Sequence, residues 1–482
     1  MLTWLASFTA EGARRRAEAK LRAHTWPERL QLALARLAGD GHAAWLVGGS
    51  VRDVLLERPR AAPARHEVWD VSTDRLPEEV RAVFPRVEGV GERHGTVLVL
   101  WEGPDGEGVE LEVTTFRREG EYTDLRRPDQ VWFTRDVLED LARRDLTVNA
   151  LAFSVAQGRL LDPHGGARDI LRRTLRAVGD PLERFREDAL RPLRVARLAA
   201  VLEMEPEPET RAALSAVNDR VSALAIERVR SELERMMEAA RPSRGLEILR
   251  EAGLLERWLP ELAACRGVPQ NRFHAYDVYF HSLYSCDAAA PGKPEVRWAA
   301  LLHDIGKPGT RVERDGEGTF YGHAELGARL ADARLAALRF PNEFRERVVH
   351  LVREHMFDFQ ESWSDAAVRR FVRRVGVEQV ADLFDLRMAD ALGNGTRGPD
   401  TRRLEAMAKR IERVLREASA LSVQQLAVDG DDVMRTLGLP PGPEVGGVLR
   451  ALLDQVIEQP GLNTREALLE RLDGMRAERG SA

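Results

Sequence analysis

Two groups of residues in this chain have the types and spacing to hold metals and phosphates. In the first, Gly48-Gly49 precedes a short helical stretch that includes Arg52, and the segment Val68-Trp69-Asp70 follows. A glycine pair ahead of a helix lets backbone N–H groups approach a phosphate without a Cβ in the way, and the helix N-terminus adds favourable partial charge. Residues two apart on a strand share a face, so an Asp-x-Asp strand would aim both carboxylates at one point, as a pair of magnesium ions requires. Here Val68 occupies the first of those positions and Asp70 the second. Glu112, in Glu112-Val113-Thr114-Thr115-Phe116-Arg117, offers a carboxylate from another strand, and Arg143-Arg144-Asp145-Leu146-Thr147-Val148-Asn149 supplies guanidinium groups. Clustered carboxylates with nearby arginines are what a metal-dependent reaction on a triphosphate needs. Glu67 is the obvious substitute for a missing carboxylate. It points to the opposite strand face, however, and would need a bulge to swing round.

The second group is His281, then His303-Asp304 with Lys307 close behind, then Asp390. Adjacent His and Asp at a helix end, completed by a distant His and a distant Asp, form a mixed nitrogen and oxygen site suited to a divalent transition metal. His323 and His355 lie between them in sequence. His350 and His355 also fit one exposed helix side with no ligand role, and His274, upstream of the pattern, reads as structural.

The elements that must position these residues change character along the chain. Residues 28–165 read as a mixed α/β domain, with β-rich runs at Val97–Leu100 and Val109–Val113 separated by a turn at Glu102–Gly106. Beyond about residue 165 the β signal disappears. Segments 188–202 and 225–239 are helical by periodicity, so 166–262 reads as a helical neck. Residues 263–400 hold most of the histidines and close on a glycine and proline cluster at 393–399, and 401–482 forms a helical tail broken by Leu439-Pro440-Pro441-Gly442-Pro443.

At 482 residues the chain exceeds one core and should divide into several domains. With 44% hydrophobic and 31% charged residues it has the composition of an ordinary soluble protein. Its net charge of -6 argues against a uniformly basic nucleic-acid binder but leaves room for a local basic surface. Two cysteines, Cys265 and Cys286, exclude a disulfide scaffold and fit a reducing cytoplasm, with a single bridge left open. The N-terminal residues lack the order of a signal peptide, and no apolar run approaches the roughly 18 residues of a membrane span.

With these motifs in view, the first half resembles the class II tRNA nucleotidyltransferases and bacterial poly(A) polymerases. The likeness continues through Leu161-Asp162-Pro163-His164-Gly165-Gly166, Arg184-Phe185-Arg186-Glu187-Asp188-Ala189-Leu190-Arg191, and Glu227-Arg228 with Glu232. The resemblance implies a polymerase beta-like α/β nucleotidyltransferase domain followed by mostly α-helical domains. It implies magnesium on Asp70 and Glu112 as the catalytic carboxylates, and nucleotide binding by Gly48, Gly49, Arg52, Arg144, Asp145, Asn149, Asp188, Arg191 and Arg194. Arg144 and Asp145 would contact the sugar and phosphates, while Asp188 and Arg191 would read the Watson-Crick edges of CTP and ATP. By residue type alone, an Asp and an Arg one helical turn apart also fit a surface ion pair.

The second half resembles the HD phosphohydrolase superfamily, with the ligands His281, His303, Asp304 and Asp390. That likeness implies manganese, nickel, cobalt or iron at the site. His323 and His355 sit where two-metal members place further ligands, so Asp304 would bridge the ions and activate a water, with Lys307 steadying the phosphate. Some bacterial tRNA nucleotidyltransferases carry such an HD domain, and residues 426–443 resemble their tRNA-binding tail. Two readings follow: an enzyme adding CMP or AMP to the 3′ end of tRNA with a separate HD phosphohydrolase site, or an RNA-end phosphohydrolase whose first domain, having lost catalysis at Val68, only holds RNA.

Overall fold

A strand running into the glycine pair sets up the first domain. In the computed structural model, which describes residues 9–58, 68–103, 106, 108–119, 131–218, 220–221, 224–270, 274–314, 317–357, 360, 362–396, 401–417 and 420–480, β1 (Ala44–Val47) ends at Gly48 and α1 (Gly49–Leu55) begins directly after it. The sheet continues with β2 (Val68–Thr73), β3 (Val87–Gly91), β4 (Thr96–Glu102) and β5 (Gly108–Thr115). A hairpin of β6 (Arg117–Glu119) and β7 (Val131–Phe133) stands apart, and β8 (Ala152–Ser154) and β9 (Arg159–Leu161) complete the sheet. Its strand order is β3-β4-β5-β2-β1-β8-β9, and β2 pairs with β5 in parallel. Trp69, Val71, Leu111 and Val113 bury one face of that pair in the core. The period of two then sends Val68, Asp70, Glu110 and Glu112 to the other face.

Beyond the sheet, α2 (Val137–Ala142) is followed by a short parallel pairing of β10 (Thr174–Leu175) with β11 (Glu205–Pro206). With a later hairpin of β12 (Val312–Arg314) and β13 (Glu317–Thr319), it corrects the expectation that β structure ends near residue 165. Each strand is two or three residues long, too short for an alternation to register in sequence. The neck helices are α3 (Pro181–Glu187), α4 (Arg191–Leu202) and α5 (Ile226–Met237). Val229, Leu233 and Met236 form the buried stripe of α5.

The chain divides into two compact units, Met1–Pro260 and Glu261–Ala482. In the second, α6 (Val278–Ala288), α7 (Pro294–Leu302), α8 (Lys307–Thr310), α9 (His323–Ala337), α10 (Asn342–Glu354) and α11 (Val380–Gly393) position the candidate ligands: His281 and His323 on α6 and α9, His303 and His355 just past the ends of α7 and α10, and Asp390 on α11. The tail contains α12 (Gly430–Leu437), α13 (Pro443–Glu458) and α14 (Arg465–Gly480), packed around Val433, Leu452, Leu453, Val456, Leu468 and Leu472. The break around 439–443 falls between α12 and α13. Both cysteines are buried and neither forms a disulfide, and burial pushes the Cys286 thiol up to about 12. No helix among the described residues is long and apolar enough to cross a membrane.

Candidate active sites

Gly48 has φ 58° and ψ -126°, a conformation that side chains oppose, and a Cβ there would lie 3.0 Å from an Arg144 guanidinium nitrogen. The turn therefore presses its backbone against the site, where a Cβ on Gly49 would come within 3.2 Å of Asp70 Oδ2. The Asp70 backbone N–H donates to Ser50 Oγ at 2.8 Å, which ties α1 to β2. In the parallel ladder Asp70 pairs with Glu112, and Val68 with Glu110. Burial, then repulsion from Asp70, raises the Glu112 carboxyl above its ordinary range against the pull of Arg235 and Arg144. Two carboxylates held together in this way fit a divalent cation, which would relieve their repulsion.

A cavity of about 760 Å³ opens over these carboxylates. It is lined by every residue expected at the first site: Gly48, Gly49, Arg52, Asp70, Glu112, Arg144, Asp145, Asn149, Asp188, Arg191 and Arg194. Nine arginines face four carboxylates there, so the cavity is strongly positive inside a chain of net negative charge. Arg144 donates to Ser72 Oγ and to Asp140 Oδ2, both at 3.2 Å. Asp140 is fully buried; although burial opposes its charge, Arg143 and Arg144 hold its carboxyl below the usual range. Asp145 accepts from Arg194 at 2.8 Å and from Asn149 at 3.1 Å, and these partners hold its carboxyl below the usual range although burial opposes its charge.

The side chains of Asp188 and Arg191 do not pair with one another, so the surface ion pair left open by their spacing is not formed. Asp188 accepts from Arg228 at 3.1 Å and from the Leu190 backbone N–H at 2.9 Å. Arg191 is buried and donates to Glu187 and to the Arg184 and Arg143 carbonyls. Two further arginines reach the cavity from α5: Arg228, which the sequence reading quoted within a motif without giving it a role, and Arg235, which it missed. Their spacing of seven residues, two helical turns on one face, was the available signal. Val68 is 44% exposed and is absent from the cavity wall, and Glu67 lies outside the described residues.

In the second unit all six expected ligands come together. His281, His303 and Asp390 form one group and Asp304, His323 and His355 another, with the ligand atoms of each group within 4.8 Å of one another. The two oxygens of Asp304 divide between them. Oδ2 lies 3.2 Å from His303 Nε2 and 3.5 Å from His281 Nε2, whereas Oδ1 lies 3.4 Å from His323 Nε2 and 3.9 Å from His355 Nε2. His281 Nε2 is also 3.2 Å from Asp390 Oδ1. Three rings are fixed through their other nitrogen, with Nδ1 of His303, His323 and His355 at 2.7–2.8 Å from the carbonyls of Ala300, Phe320 and Val352. This anchoring turns each Nε2 inward as a metal ligand requires. Burial, then the neighbouring His303, pushes His355 down to about 3, so the imidazole is neutral at physiological pH. His355 thus does not lie on an exposed helix side; it is His350, bonded to the Val375 carbonyl, that stays away from the cluster. Burial hides these ligands, a fact that helical periodicity alone does not carry.

A close helix contact makes the cluster possible. A Cβ on Gly306 would lie 2.2 Å from the His323 carbonyl oxygen, so only glycine lets the loop bearing Asp304 meet the start of α9. Lys307 Nζ sits 2.6 Å from both Asp304 Oδ2 and Gln270 Oε1. A buried set of four imidazoles and two carboxylates fits divalent transition metals, with Asp304 shared between the two positions.

Comparison with known proteins agrees with this geometry. Residues 44–176 match the Poly A polymerase head domain, 203–266 the probable RNA and SrmB-binding site of polymerase A, and 273–395 the HD domain. A CCA-adding enzyme of Lactococcus lactis is 33% identical over 444 residues, covering 92% of this chain and 96% of the relative. The A-adding tRNA nucleotidyltransferase of Deinococcus radiodurans is 39% identical over 333 residues, 66% of this chain and 74% of its own. Among solved structures, the Bacillus stearothermophilus CCA-adding enzyme in complex with CTP superposes with a TM-score of 0.71 at 27% identity, covering 95% of this chain and all of that one. On its sequence, its fold and its two sites, the chain belongs to the CCA-adding enzyme family of nucleotidyltransferases and carries an HD domain.

Proposed function

We propose that this chain adds CMP, AMP or both to the 3′ end of tRNA from CTP and ATP, and that its HD domain hydrolyses phosphoesters at RNA ends. The observation that carries the first part is the pairing of Asp70 with Glu112 at the base of an arginine-lined cavity. Asp70 and Glu112 would hold Mg2+, which when bound lowers the cost of deprotonating the RNA 3′-hydroxyl and screens the charge of the leaving group. The hydroxyl oxygen bonds to the α-phosphorus, the α–β phosphoanhydride bond breaks, and pyrophosphate departs. The Gly48-Gly49 backbone, Arg52 and Arg144 bind the phosphates, and Asp145, held by Arg194 and Asn149, contacts the sugar. Asp188 and Arg191 read the base edge, giving up part of their present pairing with Arg228 and Glu187 as they do so.

For the HD domain, the division of the Asp304 oxygens between two ligand groups supports a two-metal centre of manganese, nickel, cobalt or iron. Lys307 steadies the phosphate. Two buried thiols, neither in a disulfide, suit work in the cytoplasm.

The test uses tRNA lacking its terminal CCA, with labelled CTP and ATP supplied singly and together with Mg2+. Extension that disappears in Asp70→Asn supports transfer. Absence of extension in the unmodified chain, with extension appearing in Val68→Asp, would show instead that the first domain only holds RNA. Hydrolysis of a 2′,3′-cyclic phosphate end that persists in His303→Ala would refute the HD assignment.

A further inference from the structure

A partly exposed aromatic strip runs along α6, the helix that carries the HD ligand His281. Phe280 and Tyr284 lie one turn apart on α6, with their rings 17° from parallel and centroids 5.9 Å apart. The Tyr276 ring meets Tyr284 edge-on at 4.7 Å, and the Arg266 guanidinium lies 4.4 Å from the centre of the Phe280 ring. Tyr276 and Tyr284 remain 38% and 37% exposed. Val278, Ser282, Ser285 and Cys286 bury the side of α6 that faces away from them. The strip adjoins the metal cluster. His281 follows Phe280 directly and Tyr284 lies about 4.5 Å further along the axis, while the ring of His274, two residues before Tyr276, packs 5.1 Å from His281.

Planar rings flanked by a guanidinium, placed next to a phosphoester-cleaving centre, match the two faces of a nucleotide: the base stacks on aromatics while the phosphate meets cations and metal. Small phosphate esters would have no use for the strip. We infer that Tyr276, Phe280 and Tyr284, with Arg266, form a stacking subsite for the terminal nucleobase of an RNA 3′ end presented to the HD centre. The inference rests on the phosphohydrolase reading and names the substrate feature that the site recognises.

The test uses the full chain loaded with Mn2+ and a short RNA ending in a 2′,3′-cyclic phosphate, compared with the same RNA whose terminal nucleotide is abasic. The unmodified chain should prefer the base-bearing end through a lower KM. Tyr284→Ala should shrink that preference by about tenfold, chiefly in KM, and Tyr284→Phe should restore it. A preference that Tyr284→Ala leaves intact, or an equal fall on both RNAs, overturns the subsite. If neither RNA is hydrolysed, the phosphohydrolase reading fails on its own, and the subsite is tested without turnover. In His303→Ala, an RNA ending in a photoreactive azidoadenosine should crosslink to Tyr276 or Tyr284; crosslinks found only elsewhere refute it.

Discussion

Asp70 stands opposite Glu112 in the parallel pairing of β2 with β5, and the next pair on the same face, Val68 with Glu110, lacks a carboxylate on β2. Among the described residues, β2 and β5 thus bring two carboxylates, Asp70 and Glu112, to the cavity, and position 68, two residues from Asp70, is an exposed valine.

Val68→Asp should therefore strengthen metal binding. Because position 68 shares a face with Asp70, the added carboxylate should lower the Mg2+ concentration for half-maximal extension by about tenfold. Titration of the initial rate against Mg2+ checks this; an unchanged midpoint would place the metal elsewhere.

Glu112→Gln should abolish extension and yet stabilise the metal-free first unit. Burial and Asp70 raise the Glu112 carboxyl, so its contribution to stability is present at low pH and is lost as pH rises through its folded value. A glutamine cannot ionise, so at pH 8 the variant should melt roughly 2–4 °C higher for each kcal/mol relieved. Scanning calorimetry at pH 5 and pH 8 without metal measures the difference, which should shrink at the lower pH.

Metal content should follow the two ligand groups of the HD unit. His355→Ala should lose the ion held with His323 and keep the other, whereas Asp304→Asn should deplete both, since its oxygens serve both groups. Elemental analysis after dialysis against Mn2+ reads the stoichiometry, expected to fall from two to one in His355→Ala.

Gly48→Ala should cost about 1–3 kcal/mol, because its backbone conformation excludes side chains. The new methyl would also push on Arg144. Denaturant unfolding and the KM for nucleotide should both worsen, while Gly41→Ala, also at positive φ but with nothing near its Cβ, should leave that KM alone.

How much was legible in the sequence differs between the sites. At the first, five motifs in order placed eleven residues that do share one cavity, because each motif binds its residues locally to a strand, a turn or a helix. Arg235 escaped notice, and Arg228 was given no role, because an arginine face on a helix looks the same whether it meets solvent or a cavity. In the second unit the residue types picked out all six members of the two candidate ligand groups, but periodicity left His350 and His355 equivalent. Packing separated them, burying one and turning the other to a backbone carbonyl.

By itself the sequence determined the chemistry on offer: two acids and a glycine turn for one site, four histidines and two aspartates for the other, and a valine where a carboxylate could stand. Only the tertiary structure decided how these meet. Asp70 and Glu112 lie 42 residues apart and become neighbours through strand register. Asp304 turns one oxygen to each metal group because Gly306 lets its loop approach α9. Hydrogen-bonded pairing and close helix contact are long-range conditions, and no local run of residues contains them.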